Sequence, residues 1–198
     1  SPHDPELEFF LERVEGGELS PQLYELPVGS EVYVRRQAKG RLVFDRNSGR
    51  RDHFMVATVT GVAPFVSMIR TLAAEAQAGA VIPYRIALHA ASRPEEFGYL
   101  EELTELARRY DWFRYIPTVS RPWQAPGWKG ERGRAEDVAR KYLDQLGFCP
   151  EGTVVYLCGN PNMIVNLEGL LLRAGFDAHA IRREMYWPSG APVGPHSA

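Results

Sequence analysis

At residues 58–64 the chain reads Thr58-Val59-Thr60-Gly61-Val62-Ala63-Pro64, and at residues 158–161 it reads Cys158-Gly159-Asn160-Pro161. Each of these turns ends an apolar, strand-like run and opens an amphipathic, helix-like run. Backbone N–H groups at the start of such a helix hold phosphate-bearing ligands. One glycine-containing turn of this kind is common, but two in one α/β-like stretch indicate a shared crevice for a dinucleotide.

The segments around these turns alternate between strand and helix. From residue 53 onward, apolar runs of strand length are separated by runs whose apolar residues recur at helical spacing. This order predicts an α/β fold with a doubly wound parallel sheet. The predicted strands are 53–58, 84–91, 112–119, 153–158 and an edge strand at 178–184, and the predicted helices are 64–78, 94–109, 135–146 and 162–174.

The first 51 residues have a different character. Strand-like runs at 7–14 and 31–34 flank a short helix that begins at Ser20-Pro21, which predicts part of a small antiparallel β unit. The polar stretch at residues 46–52, which contains Asn47-Ser48-Gly49, predicts a linker. The chain is therefore divided into residues 1–51, an α/β domain at 52–187, and a Gly/Pro-rich tail at 188–198.

Composition narrows the class of protein. The 198 residues are 44% hydrophobic, enough for a buried core, and their net charge of -2 argues against a dedicated nucleic-acid binder. The two cysteines, Cys149 and Cys158, form no Cys-x-x-Cys pair, which favours a reducing, cytoplasmic setting. No apolar run reaches the roughly 18 residues of a membrane span, and the histidines lack metal-ligand spacing. We predict no metal site and neither a membrane nor a nucleic acid as partner.

Three segments together resemble the motifs of one family. Residues 58–65, residues 158–163 and the terminal Glu184-Met185-Tyr186-Trp187 are similar, in order and spacing, to motifs of the bacterial ferredoxin/flavodoxin–NADP reductases. The resemblance implies an FAD-dependent oxidoreductase that transfers hydride between NADP(H) and flavin and exchanges single electrons with ferredoxin or flavodoxin. It also implies that residues 1–51 are the C-terminal portion of an FAD-binding β-barrel and that residues 52–187 bind NADP(H).

The chain departs from the family at three places. The Arg-x-Tyr-Ser segment that holds the flavin is absent, and residues 1–5 resemble the sequence that follows it, so the chain resembles the family without the N-terminal part of the barrel. Val59 stands where the family has glycine. Because a β-branched residue disfavours a positive φ, we expect an ordinary backbone conformation there, or a turn that lies slightly differently against the ligand. In relatives an arginine follows the strand equivalent to 84–91, but here Ser92 occupies that place and Arg93 follows it.

The first turn predicts one wall of the crevice. Thr60, Gly61, Val62 and Pro64 would lie around the pyrophosphate and nicotinamide, since ligands bind outside the carboxyl ends of parallel strands. The alternative is an ordinary strand-to-helix connection with Pro64 at the helix start.

The second turn carries the first catalytic candidate. By resemblance, Cys158 lies near the nicotinamide carbon that gives up hydride and orients the ring without acting as a nucleophile. The alternative is a small buried hydrophobic residue. The resemblance also assigns Gly159, Asn160 and Met163 to cofactor binding, and likewise Ser20 in the barrel-like segment.

The loop after residue 119 indicates which nucleotide is bound. A phosphate on the adenosine ribose needs donors such as the planar fork of arginine and a serine hydroxyl, whereas an NAD enzyme more often places an acid there. Ser120, Arg121 and Arg134 match the family's 2′-phosphate site. The alternative is a solvated basic loop. The same loop holds Lys129, Arg132 and one acid, Glu131.

The terminal motif resembles the family's flavin lid. By resemblance, Tyr186 would stack on the isoalloxazine ring and make way for nicotinamide, and Trp187 would cover part of the FAD. Glu184, the second catalytic candidate, would stay near the reacting pair. The alternative is a terminal strand that packs its aromatic residues on the core.

A basic cluster predicts the electron-transfer partner. Its charge suits docking of an acidic carrier, although a solvated strand edge carries the same residues. Two other functions stay open: an NADH-dependent reductase component of an oxygenase, which Arg121 and Arg134 oppose, and a truncated, non-catalytic nucleotide-binding fragment. The oligomeric state is not predicted. The cluster comprises Arg35, Arg36, Lys39, Arg41, Arg46, Arg50 and Arg51.

Overall fold

The computed structural model describes residues 1–37 and 40–185. The α-helices are α1 Ser20–Glu25, α2 Ala63–Gln77, α3 Leu100–Arg109, α4 Ala135–Leu146 and α5 Pro161–Arg173; the strands are β1 Asp52–Thr58, β2 Arg85–Ser92, β3 Phe113–Val119, β4 Glu131–Arg132, β5 Thr153–Gly159 and β6 Ile181–Met185. All strands are parallel, in the order β4-β3-β2-β1-β5-β6. The predicted α/β fold is confirmed.

Apolar side chains cover both faces of this sheet. Along β1, Phe54 and Val56 join the cluster that includes residues of α4 and α5, while Met55 and Ala57 join the cluster on the α2 and α3 side. All four are completely buried. A strand that is buried on both faces needs apolar residues on both sides. The middle of β1 is therefore continuously apolar, without the alternation of apolar and polar residues that a half-exposed strand has.

The path of the chain positions the crevice. From β1 the chain adds β2, β3 and β4 on one side, and then returns to place β5 and β6 on the other. Ligands of open parallel sheets bind where this direction reverses, outside the carboxyl ends of the strands. The turns after β1 and β5 are therefore neighbours.

The predicted helix at 94–109 is divided into two parts. A 3-10 turn at Pro94–Glu96 precedes α3, which begins at Leu100. The Glu96 carboxylate accepts a hydrogen bond from the Arg93 N–H at 2.8 Å and closes the turn on itself. The chain then passes Gly98, where an added Cβ would lie 2.6 Å from the ring of Phe10.

Residues 7–14 and 31–34 do not form the predicted strands, so the expected part of an antiparallel barrel is not formed. A strand needs hydrogen bonds to a neighbouring strand, and within residues 1–37 and 40–185 neither run has one. Most of their apolar side chains are open to solvent, with Leu7 79% and Tyr33 101% exposed, whereas Phe10 is half-buried against Tyr99. The short helix predicted at Ser20 does form, as α1. The boundaries at 51 and 187 stay predictions, and the tail at 188–198 lies outside the described residues.

Residues 40–46 nevertheless contact the sheet. Phe44 stacks on the imidazole of His53, with ring centroids 4.3 Å apart. The Asp45 N–H donates to the hydroxyl oxygen of Tyr156 at 3.0 Å, and the Asp45 carboxylate binds Arg182 at 2.7 Å. The segment before β1 is thus fixed to β1, β5 and β6.

Two histidines are completely buried, and both are held neutral. His53 Nδ1 lies 2.9 Å from the Tyr156 hydroxyl, and His89 Nε2 lies 2.8 Å from Thr118 Oγ1. Among the described residues, the other ring nitrogen of each has no hydrogen-bond partner. Burial lowers the pKa of His53 and that of His89 to about 4. An acid-sensitive core follows from this.

We expect the free energy of unfolding to fall as the pH drops from about 6.5 to about 4. In that window the histidines are protonated in the unfolded chain but stay neutral in the folded chain. This difference lowers the free energy of unfolding by at most about 3 kcal/mol per histidine. Urea unfolding at pH 7, 6, 5 and 4.5 measures the slope. His53→Phe should reduce it, and substitution of the exposed His179 should not. A flat profile over this range would exclude neutral buried imidazoles.

Candidate functional site

The two predicted turns meet through their glycines. A Cβ added to Gly61 would lie 2.3 Å from the carbonyl oxygen of Cys158 and 2.9 Å from the Cα of Gly159. Gly159 has a φ of 123°, and its own Cβ would lie 2.3 Å from Thr58 Oγ1. Only glycine fits at either place, so the turn after β1 and the turn after β5 lie against each other, and the dinucleotide crevice at their shared edge stays a prediction.

Thr58 connects the turns by a hydrogen bond. Its hydroxyl accepts from the Asn160 N–H at 2.8 Å. The Asn160 side chain in turn caps α5, because its Oδ1 accepts from the N–H groups of Asn162 at 2.8 Å and Met163 at 3.4 Å. The Asn160 carboxamide oxygen therefore orients the helix whose start faces the crevice. Thr58 was part of the turn motif but was not among the predicted site residues.

The remaining residues of the two turns differ in exposure. Thr60 and Pro64 are half-buried at the start of the α2 region, while Val62 is 6% exposed and part of the core. Met163 is 4% exposed and packs in the cluster on the α4 and α5 side. Its assigned contact with a cofactor stays a prediction.

Val59 has a positive φ of 46°, so the expected ordinary conformation is wrong. Among residues 1–37 and 40–185 it is the one non-glycine residue with a positive φ. The chain must turn sharply from β1 into the 3-10 turn Val59–Val62, and this turn overrides the preference of a β-branched side chain. The valine is therefore strained where the family has glycine.

Comparing Val59→Gly with Val59→Ala isolates this strain. Both variants lack the isopropyl group, but only alanine keeps a Cβ in the left-handed region. We expect the glycine variant to be the more stable by about 1 kcal/mol in urea unfolding. At Val165, on the exposed side of α5, the same pair should show the opposite order, because alanine favours a helix by about 1 kcal/mol. The same order at both positions would contradict the strained turn.

The two catalytic candidates are neighbours in the sheet. Cys158 of β5 pairs with Glu184 of β6, so their side chains share one face. Cys158 is completely buried. The Glu184 carboxylate accepts from the N–H groups of Arg41 at 3.0 Å and Leu42 at 3.3 Å. Glu184 thus holds the segment before β1 beside the crevice, and its part in the reaction stays a prediction.

The basic loop lies at the same edge of the sheet. Ser120 and Arg121 follow the end of β3, and Arg134 follows β4, whose Arg132 pairs with Val119. The Gly133 N–H donates to the Val119 carbonyl at 3.0 Å and brings the two strand ends together. Arg134 is exposed at the N-cap of α4. The predicted 2′-phosphate residues are therefore grouped.

The acid of this loop is neutralised by α4. Glu131 accepts from Lys141 Nζ at 2.5 Å and from the Tyr142 hydroxyl at 2.7 Å. These two hydrogen bonds lower the pKa of Glu131 to about 2. Because Lys141 offsets its charge, Glu131 does not compete with a phosphate for the arginines of the loop.

Arg93 does not join this group. Its Nε donates to Glu96 Oε1 at 2.5 Å, and the Ser92 hydroxyl donates to Glu96 Oε2 at 2.9 Å. The turn after β2 is thus closed by its own side chains. The sequence prediction did not include Glu96, although an acid three residues after Arg93, with Pro94 between them, has the spacing of a helix-start capping pair.

For three residues assigned to cofactor binding, the described residues show no contact that bears on this role. The Ser20 hydroxyl accepts from the Val14 N–H at 3.0 Å, a local contact beside α1. Tyr186 and Trp187 lie outside the described residues. Their proposed contacts with FAD stay predictions.

Two further features bear on the class of protein. In the described part of the chain, no helix is long and apolar enough to cross a membrane. Within those same residues, no group of three or more His, Cys, Asp and Glu side chains could hold a metal ion.

Known proteins share this sequence and fold. A family model described as the oxidoreductase NAD-binding domain matches residues 55–168. The flavodoxin/ferredoxin–NADP reductase of Escherichia coli (strain K12) is 33% identical over 174 residues, which cover 83% of this chain and 65% of that protein. The ferredoxin–NAD(P)(+) reductase component of naphthalene 1,2-dioxygenase/salicylate 5-hydroxylase systems from Ralstonia sp is 30% identical over 200 residues, 96% of this chain and 54% of that protein. The chain spans less than two thirds of these relatives.

A solved structure has the same architecture. The cytochrome b5 reductase domain of Ulva prolifera nitrate reductase matches with a TM-score of 0.68 and 24% identity, over 85% of this chain and 66% of that one. The likeness concerns the fold. Since the family model covers more than half of the 198 residues, the chain belongs to the oxidoreductase NAD-binding domain family and is a relative of the ferredoxin/flavodoxin–NADP reductases.

Proposed function

We propose that the chain binds NADP(H) as part of an FAD-dependent oxidoreductase that passes electrons to or from ferredoxin or flavodoxin. One observation carries the proposal: the glycine crevice and the basic loop lie at the carboxyl edge of the same sheet. Three strand spacings separate β5 from β3, about 14 Å in all. An extended dinucleotide can therefore span from the crevice to the loop.

The basic loop supports NADP(H) over NAD(H). Ser120, Arg121 and Arg134 are grouped at the ends of β3 and β4. Arginine forks and a hydroxyl suit a 2′-phosphate, and the nearby Glu131 is already paired with Lys141. The residues present thus fit the phosphate that distinguishes NADP(H).

The fit to FAD is only partial in the described residues. The barrel strands are not formed, and the Ser20 hydroxyl oxygen already accepts from Val14. When bound, FAD supplies the group that accepts hydride and releases single electrons. The chain's own part in that chemistry is to position NADP(H) and exclude water.

Two residues have such positioning roles. Cys158, fully buried at the end of β5, would form a dry floor beneath the nicotinamide. Glu184 would hold residues 40–42, and with them the segment before β1, against the crevice. Both residues would position the reacting groups, and neither side chain would form a covalent bond with the substrate.

The basic cluster supports an acidic partner such as ferredoxin or flavodoxin, although fewer of its residues are available for docking than the sequence indicated. Arg46 makes a two-pronged contact with Glu75, and Arg50 donates to the carbonyls of Pro150 and Thr153. These two arginines have structural partners. Docking therefore falls to the exposed Arg35, Arg36, Arg41 and Arg51; Lys39, the remaining member of the cluster, lies outside the described residues.

The second candidate is a reductase component of an oxygenase. The 30% identity to the Ralstonia protein favours it. Its test is the electron acceptor and the choice between NADPH and NADH. A strong preference for NADH would support this candidate over the first.

The experiment combines nucleotide binding with flavin chemistry. The purified chain is titrated with 2′-phospho-AMP and with AMP, and then incubated with FAD and assayed for NADPH-dependent dye reduction. Binding of 2′-phospho-AMP with a retained flavin absorbance and turnover supports the reductase. Nucleotide binding without flavin or turnover supports the non-catalytic fragment, and failure to bind 2′-phospho-AMP contradicts the nucleotide site.

A further inference from the structure

Trp128 lies within the basic loop, between Arg121 and Arg134. Its indole stacks on the ring of Phe97, with ring centroids 5.5 Å apart and ring planes inclined by 17°. Phe97 belongs to the turn after β2 and packs against the core cluster on the α2 and α3 side. The indole therefore joins the basic loop to a fixed part of the fold.

The polar groups of Trp128 hold the chain on both sides of it. Its backbone N–H donates to the Ala125 carbonyl at 3.0 Å, and its Nε1–H donates to the Glu131 carbonyl at 2.9 Å. Its own carbonyl accepts from the guanidinium of Arg132. A Cβ added to Gly130 would lie 2.9 Å from the indole, so glycine lets the backbone pass directly against the ring. Trp128 thus shapes the loop from residue 125 to β4.

The basic loop depends on such contacts because β4 is short. This strand consists of two residues, which pair with Thr118 and Val119 of β3. Arg121 lies near the start of the loop and Arg134 at its end, so their relative position depends on how the loop between them is held. Donors that are already ordered lose less entropy when they bind a phosphate. The stacked indole therefore bears on how well the two arginines can act together.

We propose that Trp128 is a positioning residue of the 2′-phosphate site, and that its stack on Phe97 holds the basic loop so that Arg121 and Arg134 reach one phosphate. This inference rests on the proposed NADP(H) function. Trp128 acts through the two arginines, since one face of its indole is already covered by Phe97. Loss of the indole should therefore weaken recognition of the 2′-phosphate and spare recognition of the adenosine.

The test measures the dissociation constants of 2′-phospho-AMP and AMP by isothermal titration. Trp128→Ala should weaken 2′-phospho-AMP binding about tenfold, the effect of one aromatic stack, and change AMP binding by less than about twofold. Trp128→Phe keeps a ring on Phe97 and should stay within about threefold of the unmodified chain for both ligands. Equal losses of the two ligands in Trp128→Ala would mean that the indole binds the adenine itself, which overturns the inference. A phenylalanine variant as weak as the alanine variant would assign the effect to the lost Nε1–H and overturn it too.

Trp112 provides the matched control. It stacks on Tyr110 with ring centroids 5.1 Å apart and planes inclined by 25°, but it precedes β3, at the amino edge of the sheet. Trp112→Ala removes an indole from a similar pair and should leave both dissociation constants unchanged. A matching loss of 2′-phospho-AMP binding there would make the effect a general one and contradict a role specific to Trp128. Circular dichroism checks that each titrated variant is folded.

A double-variant cycle shows whether Trp128 acts through the arginines. In the Arg134→Ala background, Trp128→Ala should weaken 2′-phospho-AMP binding by less than about threefold, because the group at the far end of the loop is already missing. A further tenfold loss there would mean that the two residues act independently, and would remove the positioning role.

A second cycle tests the stack itself. Phe97→Leu keeps an apolar side chain in the core but removes the ring, so it should reproduce the tenfold loss of Trp128→Ala. The double variant should be no weaker than either single variant, because both changes break one contact. Losses that multiply would contradict the stack as the cause.

The outcomes keep this inference apart from the proposed function. If the unmodified chain does not bind 2′-phospho-AMP, both fail. If it does, and a folded Trp128→Ala or Phe97→Leu variant binds 2′-phospho-AMP equally tightly, the inference is overturned and the nucleotide site stands.

Discussion

Gly61→Ala is expected to lower the free energy of unfolding by about 3 kcal/mol or more. The added Cβ would lie 2.3 Å from the carbonyl oxygen of Cys158 and 2.7 Å from its carbonyl carbon. Both atoms belong to the backbone of β5, whose residues are all buried, so neither can move aside without disturbing the centre of the sheet. The substitution therefore forces apart the two turns that form the crevice.

Urea unfolding measures this loss, and Gly127→Ala is the matched control. Gly127 also lacks a positive φ, but nothing lies within 4 Å of its added Cβ, so its variant should stay within about 0.5 kcal/mol of the unmodified chain. Similar stabilities for the two alanine variants would mean that the turns after β1 and β5 do not touch. Nucleotide binding should be lost together with stability only at Gly61.

The double variant Arg121→Ala/Arg134→Ala is expected to weaken NADPH binding by two to three orders of magnitude and leave NADH binding unchanged. Each arginine would donate charge-assisted hydrogen bonds to the 2′-phosphate, and one such bond contributes about 1.5–3 kcal/mol. The single variants should each lose about 10- to 100-fold. Titration with NADPH and with NADH gives the two dissociation constants of each protein.

Arg108→Ala controls for the loss of positive charge. Arg108 lies on α3 and is 75% exposed, and within residues 1–37 and 40–185 its one ion pair is a long contact with Glu105 at 3.7 Å. Its variant should keep the preference for NADPH. If the double variant keeps that preference too, the basic loop does not select the nucleotide, and the oxygenase-reductase candidate gains support.

The sheet and its helices were predictable because burial on both faces leaves a strong pattern. The predicted helix at 135–146 matches α4, and the predicted strand at 153–158 matches β5 to within one residue. β4 escaped prediction because it has two residues and pairs only with Thr118 and Val119. A strand that short has no periodicity of its own.

The wrong predictions concern segments whose conformation depends on contacts with other parts of the fold. Residues 7–14 and 31–34 have the composition of strands, but without a pairing partner they make no ladder. Val59 has a side chain that disfavours a positive φ, yet the sharp turn imposes it. Local preference could not predict either result, because the competing contacts come from elsewhere in the fold.

The candidate site was partly predictable in the same sense. Strand-end position placed Gly61, Gly159 and Ser120 on one edge, whereas Arg134 was assigned only through the family resemblance. The Thr58–Asn160 hydrogen bond could not be predicted, because it joins residues that are distant in sequence. The roles of Cys158 and Glu184 in the reaction, and the cytoplasmic setting, stay predictions.

The strand order has a consequence for when the crevice exists. Asp52 pairs with Thr153, about a hundred residues further along the chain, and topologies rich in such distant pairings have high contact order and fold slowly. The crevice is made of one turn from each of these two strands. A partly folded species without β5 lacks one of these two turns, so the proposed nucleotide site is complete only once β5 has paired with β1. A bound nucleotide accordingly stabilises the native topology as a whole instead of any single segment.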